Sequence, residues 1–153
     1  MNKRPTAIAR NFFAVLFGLA GAVLVVTIGS FVVFRNSFSA EDLARIKGAT
    51  RASADFERAM TQISDPFVRI QRVTATSTFI IFPIAAVIAG LIVGGIASTH
   101  SAVLSASTGL LSAGVLLAGI GFSIRSFILG AVYATLAGLS GSQSARWRAG
   151  RWP

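Results

Sequence analysis

Two long stretches of this chain, residues 11–34 and 73–124, carry no charged side chain. A bilayer hydrocarbon core about 30 Å thick needs about 20 apolar residues in helix to cross it. The first stretch predicts a transmembrane helix over 12–34, following a basic tail (1–11) that contains Lys3, Arg4 and Arg10. The run of 23 residues exceeds the apolar region of a signal peptide, usually about 7–15 residues, and reads as an uncleaved signal-anchor helix.

The second stretch opens with a span over 77–97. Asp65-Pro66 reads as an N-cap followed by proline at the first helical position, so the helix is expected to begin at Pro66 and carry Arg69 and Arg72 towards the membrane. Pro83 lies inside the span and should kink it, because proline removes a backbone donor. From 101 to 139 the chain is apolar apart from Arg125. At about 1.5 Å per residue such a helix would reach about 58 Å, too long for one crossing. A break near Gly119-Ile120-Gly121 divides it into a span over 102–120 and a short one over 124–140, with Arg125 snorkelling to the interface.

The expected fold is therefore an all-α integral membrane protein: a small bundle of four transmembrane helices. Three spans, or a re-entrant final segment, are the alternatives. A polar interval (35–72) separates the first two spans, and a basic aromatic tail (141–153) follows the last. Within the interval, Ser39-Ala40-Glu41-Asp42 resembles a capping box. Ile46, Ala49, Ser53, Phe56, Met60 and Ile63 recur at helical spacing, which predicts an amphipathic helix over about 40–64. Glu41 with Arg45, and Arg51 with Asp55, add opposite charges four apart. The stripe suits a partner helix, but Ala49 and Ser53 make a poor coiled-coil seam, so a helix resting on the membrane or bundle end is preferred.

Composition supports this picture. The 153 residues are 54% hydrophobic and 12% charged, with a mean hydropathy of +0.72, against roughly 25% charged in ordinary soluble domains. The absence of cysteine excludes disulfides, thiolate metal sites and thiol nucleophiles. All five acids (Glu41, Asp42, Asp55, Glu57, Asp65) fall in the polar interval. No carboxylate thus lies at the expected membrane depth, where ion-coupled transporters usually need one. His100, the single histidine, cannot build a metal site alone and reads as an interfacial residue in the turn between spans. No nucleophile–base pair, paired membrane carboxylates or phosphate loop suggests an enzyme, and no cofactor is implied.

The net charge of +9 reads mainly as topology. Four spans put both tails on one side, with six basic residues there against seven in the polar interval. The first helix usually dominates orientation, so cytoplasmic tails are expected, in a bacterial inner membrane. Arg125, Arg146, Trp147, Arg148, Arg151 and Trp152 are candidate anchors to anionic lipid headgroups. Arginine interleaved with tryptophan also suits nucleic acid, but its place beside a hydrophobic span favours lipid, and no nucleic-acid partner is expected.

Small residues recur every fourth position: Ala14, Gly18 and Ala22; Ala86, Gly90, Gly94 and Ser98; Ser126, Gly130, Ala134 and Gly138. Such faces let helix backbones approach closely in lipid. Ser101, Ser105, Thr108 and Ser112 place hydroxyls on one face of the third span, either as a pore wall or as a packing face bonded to its own carbonyls. The expected function is a non-catalytic structural or assembly subunit of a larger membrane complex, joined to other subunits or to itself. The alternative is a homo-oligomeric channel or membrane-permeabilising protein lined by the hydroxyl stripe. A recruitment role for the polar interval is the third possibility.

Overall fold

The computed structural model describes the backbone of residues 4–49, 53–118 and 124–150, and the side chains of 6–46, 57–114 and 127–150. Among the described residues the protein is all-helical, with no β-strand. Its elements are α1 (Arg4–Ser37), α2 (Ala40–Ala49), α3 (Ser53–Thr61), α4 (Pro66–Thr76), a π-helical turn (Ser77–Ile81), α5 (Phe82–Ile96), α6 (Ser101–Ala118) and α7 (Ile124–Arg148). Two helical runs, Thr6–Ser37 and Pro66–Ile96, are long and apolar enough to cross a membrane.

The local sequence explains several boundaries. Ser39 and Asp42 cap α2 reciprocally: the Asp42 amide donates to Ser39 Oγ at 3.1 Å, and the Ser39 amide donates to Asp42 Oδ2 at 3.1 Å. The expected single helix over 40–64 is instead two, α2 and α3: Arg45 Nη1 donates to the Gln62 carbonyl at 3.4 Å, a pair that one continuous helix would hold about 25 Å apart, and residues 50–52 between the two lie outside the described residues. Glu41 pairs with Arg45, whereas Arg51 lies outside the described residues.

At the start of the second apolar run one expectation changes and another gains local detail. Pro66 does begin α4, but Asp65 adopts a left-handed conformation (φ 52°) and its side chain makes no capping hydrogen bond. An N-cap side chain normally reaches the N2 or N3 amide from an extended backbone, which Asp65 lacks. Pro83 is preceded by the π-helical turn over Ser77–Ile81, which contains Phe79, the residue whose carbonyl an α-helical Pro83 amide would have bonded; such turns are a recognised site of helix bending.

The chain divides into two compact units, Met1–Val26 with Phe82–Pro153, and Thr27–Ile81. In the second, Arg69 of α4 donates to Asp42 Oδ2 at 3.0 Å and to the Ser37 carbonyl at 3.2 Å, with its guanidinium 6.0 Å from the Phe38 ring centroid. One arginine thereby ties α4 to the end of α1 and the cap of α2. Phe38, Ala59 and Ile63 are buried there. Near the π-helical turn, Ser30 Oγ and Ser77 Oγ lie 3.4 Å apart.

The first unit packs α5, α6 and α7 against the N-terminal part of α1. Its buried positions are mostly small: Ala14 and Ala22 on α1, Ala86, Ala89 and Gly90 on α5, Ser105 and Ala113 on α6, Ala137 and Gly141 on α7. Many of its large apolar side chains point outwards, with Phe12 65%, Val103 65% and Phe127 72% exposed, while Phe82, Val93 and Tyr133 are buried. Residues 119–123, which include most of the expected break between the last two spans, lie outside the described residues. On the far side of them, α7 runs about 37 Å from Ile124 to Arg148, so the helix continues past the end of the expected span over 124–140.

Candidate functional site

The closest backbone approach in the first unit is between α5 and α7. A Cβ on Gly90 would collide with the Ala137 carbonyl, and one on Gly94 would collide with the Gly141 backbone. Only glycine at both α5 positions allows this approach. The same contact line carries a ladder of hydrogen bonds. Ser140 Oγ donates to the Val87 carbonyl at 3.1 Å, Ser144 Oγ to Leu91 at 2.9 Å, and Arg148 Nη1 to Gly95 at 3.1 Å. Donors and acceptors advance together by four residues, so α5 and α7 run parallel.

Helix α6 packs beside both and runs antiparallel to α7. Gly109 lies against Tyr133 and Ala137, while Gly138 lies against Ala102 and Ala106. A Cβ on Gly109 would sit 2.6 Å from Ala137 Cβ and 2.9 Å from the Tyr133 carbonyl. Ser105 Oγ donates to the Gly90 carbonyl at 3.4 Å. On α1, a Cβ at Gly18 would sit 2.6 Å from Val93 Cγ2 and 3.2 Å from both the Ala89 carbonyl and Thr108 Cγ2.

One end of this unit concentrates polar groups on the C-terminus of α5. Asn11 Oδ1 accepts from the Ser98 amide at 2.9 Å and from Ser98 Oγ at 3.0 Å. Arg10 Nε donates to the Ile96 carbonyl, and Arg148 reaches Gly95 beside it. Terminal helix carbonyls lack intrahelical partners, and cations near them also complement the helix dipole. His100 adopts a left-handed conformation (φ 50°), and its carbonyl accepts from the Leu104 amide at 3.0 Å as α6 begins.

The sequence-marked residues fall as follows. Ala14, Gly18 and Ala22 are buried on α1, and Ala86, Gly90 and Gly94 are buried on α5. Gly130, Ala134 and Gly138 lie on the α6 side of α7, with only ordinary contact between Gly130 and Leu110. A separate ladder, Tyr133, Ala137 and Gly141, is more completely buried and was not singled out from sequence. Ser105, Thr108 and Ser112 are buried, while Ser101 is half-buried at the start of α6. Thr108 and Ser112 donate to carbonyls one turn back on their own helix, at 2.7 and 2.8 Å.

Arg146 is exposed and Trp147 is 50% exposed. The Arg125 side chain, Arg151 and Trp152 lie outside the described residues. Among the described residues, no three of His, Asp and Glu gather as a metal-binding group. The arrangement is suited to close helix packing and to meeting an anionic surface at its arginine-bearing end. No family model, curated protein or solved structure matches the chain.

Proposed function

We propose that α1, α5, α6 and α7 cross a bilayer as a four-helix bundle, and that the chain is a non-catalytic structural or assembly subunit of a larger membrane complex. The observation that carries the membrane reading is the sorting of side chains by size in the first unit. In water, large apolar side chains are preferentially buried and extended apolar surface is uncommon on a monomer. Here small residues make up most of the interior, with Phe82, Val93 and Tyr133 among the few large ones, while Phe12, Val103 and Phe127 face outwards. Lipid removes the penalty for exposed hydrocarbon and makes close backbone packing a principal source of helix association.

The subunit reading follows from the same surface. Helix α1 contributes a narrow small-residue face at Ala14, Gly18 and Ala22, and leaves Phe12, Phe13, Leu16 and Phe17 outwards. That surface is available to lipid and to other membrane helices. The buried hydroxyls of α6, two of them bonded to their own helix, support packing over a channel wall. In this reading the membrane is a bacterial inner membrane, and the basic residues before the first helix, which usually dominates orientation, support cytoplasmic tails.

The reading is tested by membrane flotation followed by purification from mild detergent at native expression. It predicts carbonate-resistant membrane association and elution with other integral proteins. Release by carbonate contradicts membrane insertion, and elution as a solitary monomer contradicts the subunit role.

A further inference from the structure

Resting on the membrane reading, we infer that the shallow groove between the start of α6 and the end of α7 binds the phosphate of an anionic phospholipid headgroup. The groove has a volume of about 350 Å³ and is lined by Ser101, Ser142, Ala145, Arg146 and Ala149. Its small alanines leave room for a headgroup beside the guanidinium. Ser142 Oγ already donates to the Leu139 carbonyl at 2.8 Å. Arg146 and the Ser101 hydroxyl make no side-chain hydrogen bond or ion pair among the described residues. Arg10 and Arg148, at the same end, are instead occupied by the Ile96 and Gly95 carbonyls.

Charge distribution identifies the occupant. The unit formed by Met1–Val26 and Phe82–Pro153 contains seven Lys and Arg residues and no Asp or Glu, so its side chains offer Arg146 no acidic partner. A guanidinium binds phosphate through paired donors, and a hydroxyl at Ser101 adds a third. Leu139, 64% exposed and two turns before Arg146 on the same face of α7, supplies apolar surface for an acyl chain. The half-exposed Trp147 adjoins Arg146 in sequence and suits the interfacial zone.

The experiment is native mass spectrometry of the full chain in neutral detergent, titrated with phosphatidylglycerol or phosphatidylcholine. The wild type should retain one phosphatidylglycerol in preference to phosphatidylcholine. Arg146→Gln should weaken that retention about tenfold, and Ser101→Ala about threefold, as loss of a charge-assisted and a neutral hydrogen bond predicts. Arg35→Gln, in the other unit, should leave it unchanged. Circular dichroism should show equal helix content in all variants. Equal retention by the wild type and Arg146→Gln overturns the site, as does equal retention of the two lipids. Displacement by millimolar inorganic phosphate also overturns the lipid assignment, identifying a site for free phosphate. In parallel flotation with vesicles, failure of the wild type to associate defeats the membrane reading itself; association with an indifferent Arg146→Gln defeats only the headgroup site.

Discussion

Replacing Gly94 with alanine should separate α5 from α7. The added Cβ would overlap the Gly141 backbone, which cannot move away by changing a rotamer. Relief requires the two helices to part, and the nearby bonds Ser144–Leu91 (2.9 Å) and Arg148–Gly95 (3.1 Å) would lengthen with them. Overpacking of this kind costs about 1–3 kcal/mol, and interhelical hydrogen bonds in membrane proteins contribute about 0.6 kcal/mol each. Against this, alanine returns at most about 1 kcal/mol of helix propensity. The expected net loss is about 1–3 kcal/mol. Gly114 is the internal control, because a Cβ there meets nothing within 4 Å; Gly114→Ala should be neutral or slightly stabilising. Reversible unfolding in mixed micelles, followed by circular dichroism, measures both changes. A Gly94→Ala protein as stable as the wild type, or an equal loss in Gly114→Ala, would refute the close-contact argument.

Three further outcomes follow from other contacts. Thr108→Val should alter unfolding stability by less than about 0.5 kcal/mol, since the lost hydroxyl bonded only its own helix; a larger loss in the same micelle assay would assign it an interhelical role. The Ser39 hydroxyl and amide, with smaller contributions from Arg69 and Arg45, hold the Asp42 carboxyl below its ordinary value of 3.8 against the raising effect of burial. Stabilisation of the α2 cap should therefore be full above pH 3.8 and disappear as pH falls through the lower folded value; hydrogen exchange of the α2 amides should accelerate across that fall in the wild type and not in Asp42→Asn. In a Trp152→Phe background, quenchers near the lipid headgroups should reduce Trp147 emission more than quenchers at the bilayer centre, with the opposite order contradicting interfacial placement.

Local patterns made part of this arrangement legible in the sequence. Ser39 and Asp42 lie three residues apart, so their reciprocal cap needs no knowledge of distant chain. The all-helical character likewise follows from long apolar runs and helical periodicity. On α7, however, small residues are so frequent that several four-residue ladders coexist. The sequence drew attention to Gly130, Ala134 and Gly138, while the tightest contacts with α5 use Ala137 and Gly141. Only the neighbouring helix distinguishes those faces.

Long-range polar partners were equally hidden. Arg148 read as a headgroup anchor, yet its guanidinium reaches the Gly95 carbonyl, and Arg10 reaches Ile96. Nothing local to either arginine identifies the end of α5 as its acceptor. Arg69, read as a residue at the approach to a span, joins Asp42 and Ser37. At Pro83 the missing donor was evident, but the π-helical turn ahead of it, over Ser77–Ile81, had no local sequence mark.

The absence of cysteine allows single-cysteine accessibility mapping without first removing native thiols. Cysteines placed singly at Asn2, Glu57, Thr99 and Gly150 should be probed with a membrane-impermeant maleimide in sealed membrane vesicles of opposite orientations. A four-crossing bundle predicts that positions 2, 99 and 150 label from one side and position 57 from the other. Labelling of 2 and 150 from opposite faces would contradict four crossings, and labelling of all four from the same face would contradict a membrane-spanning bundle.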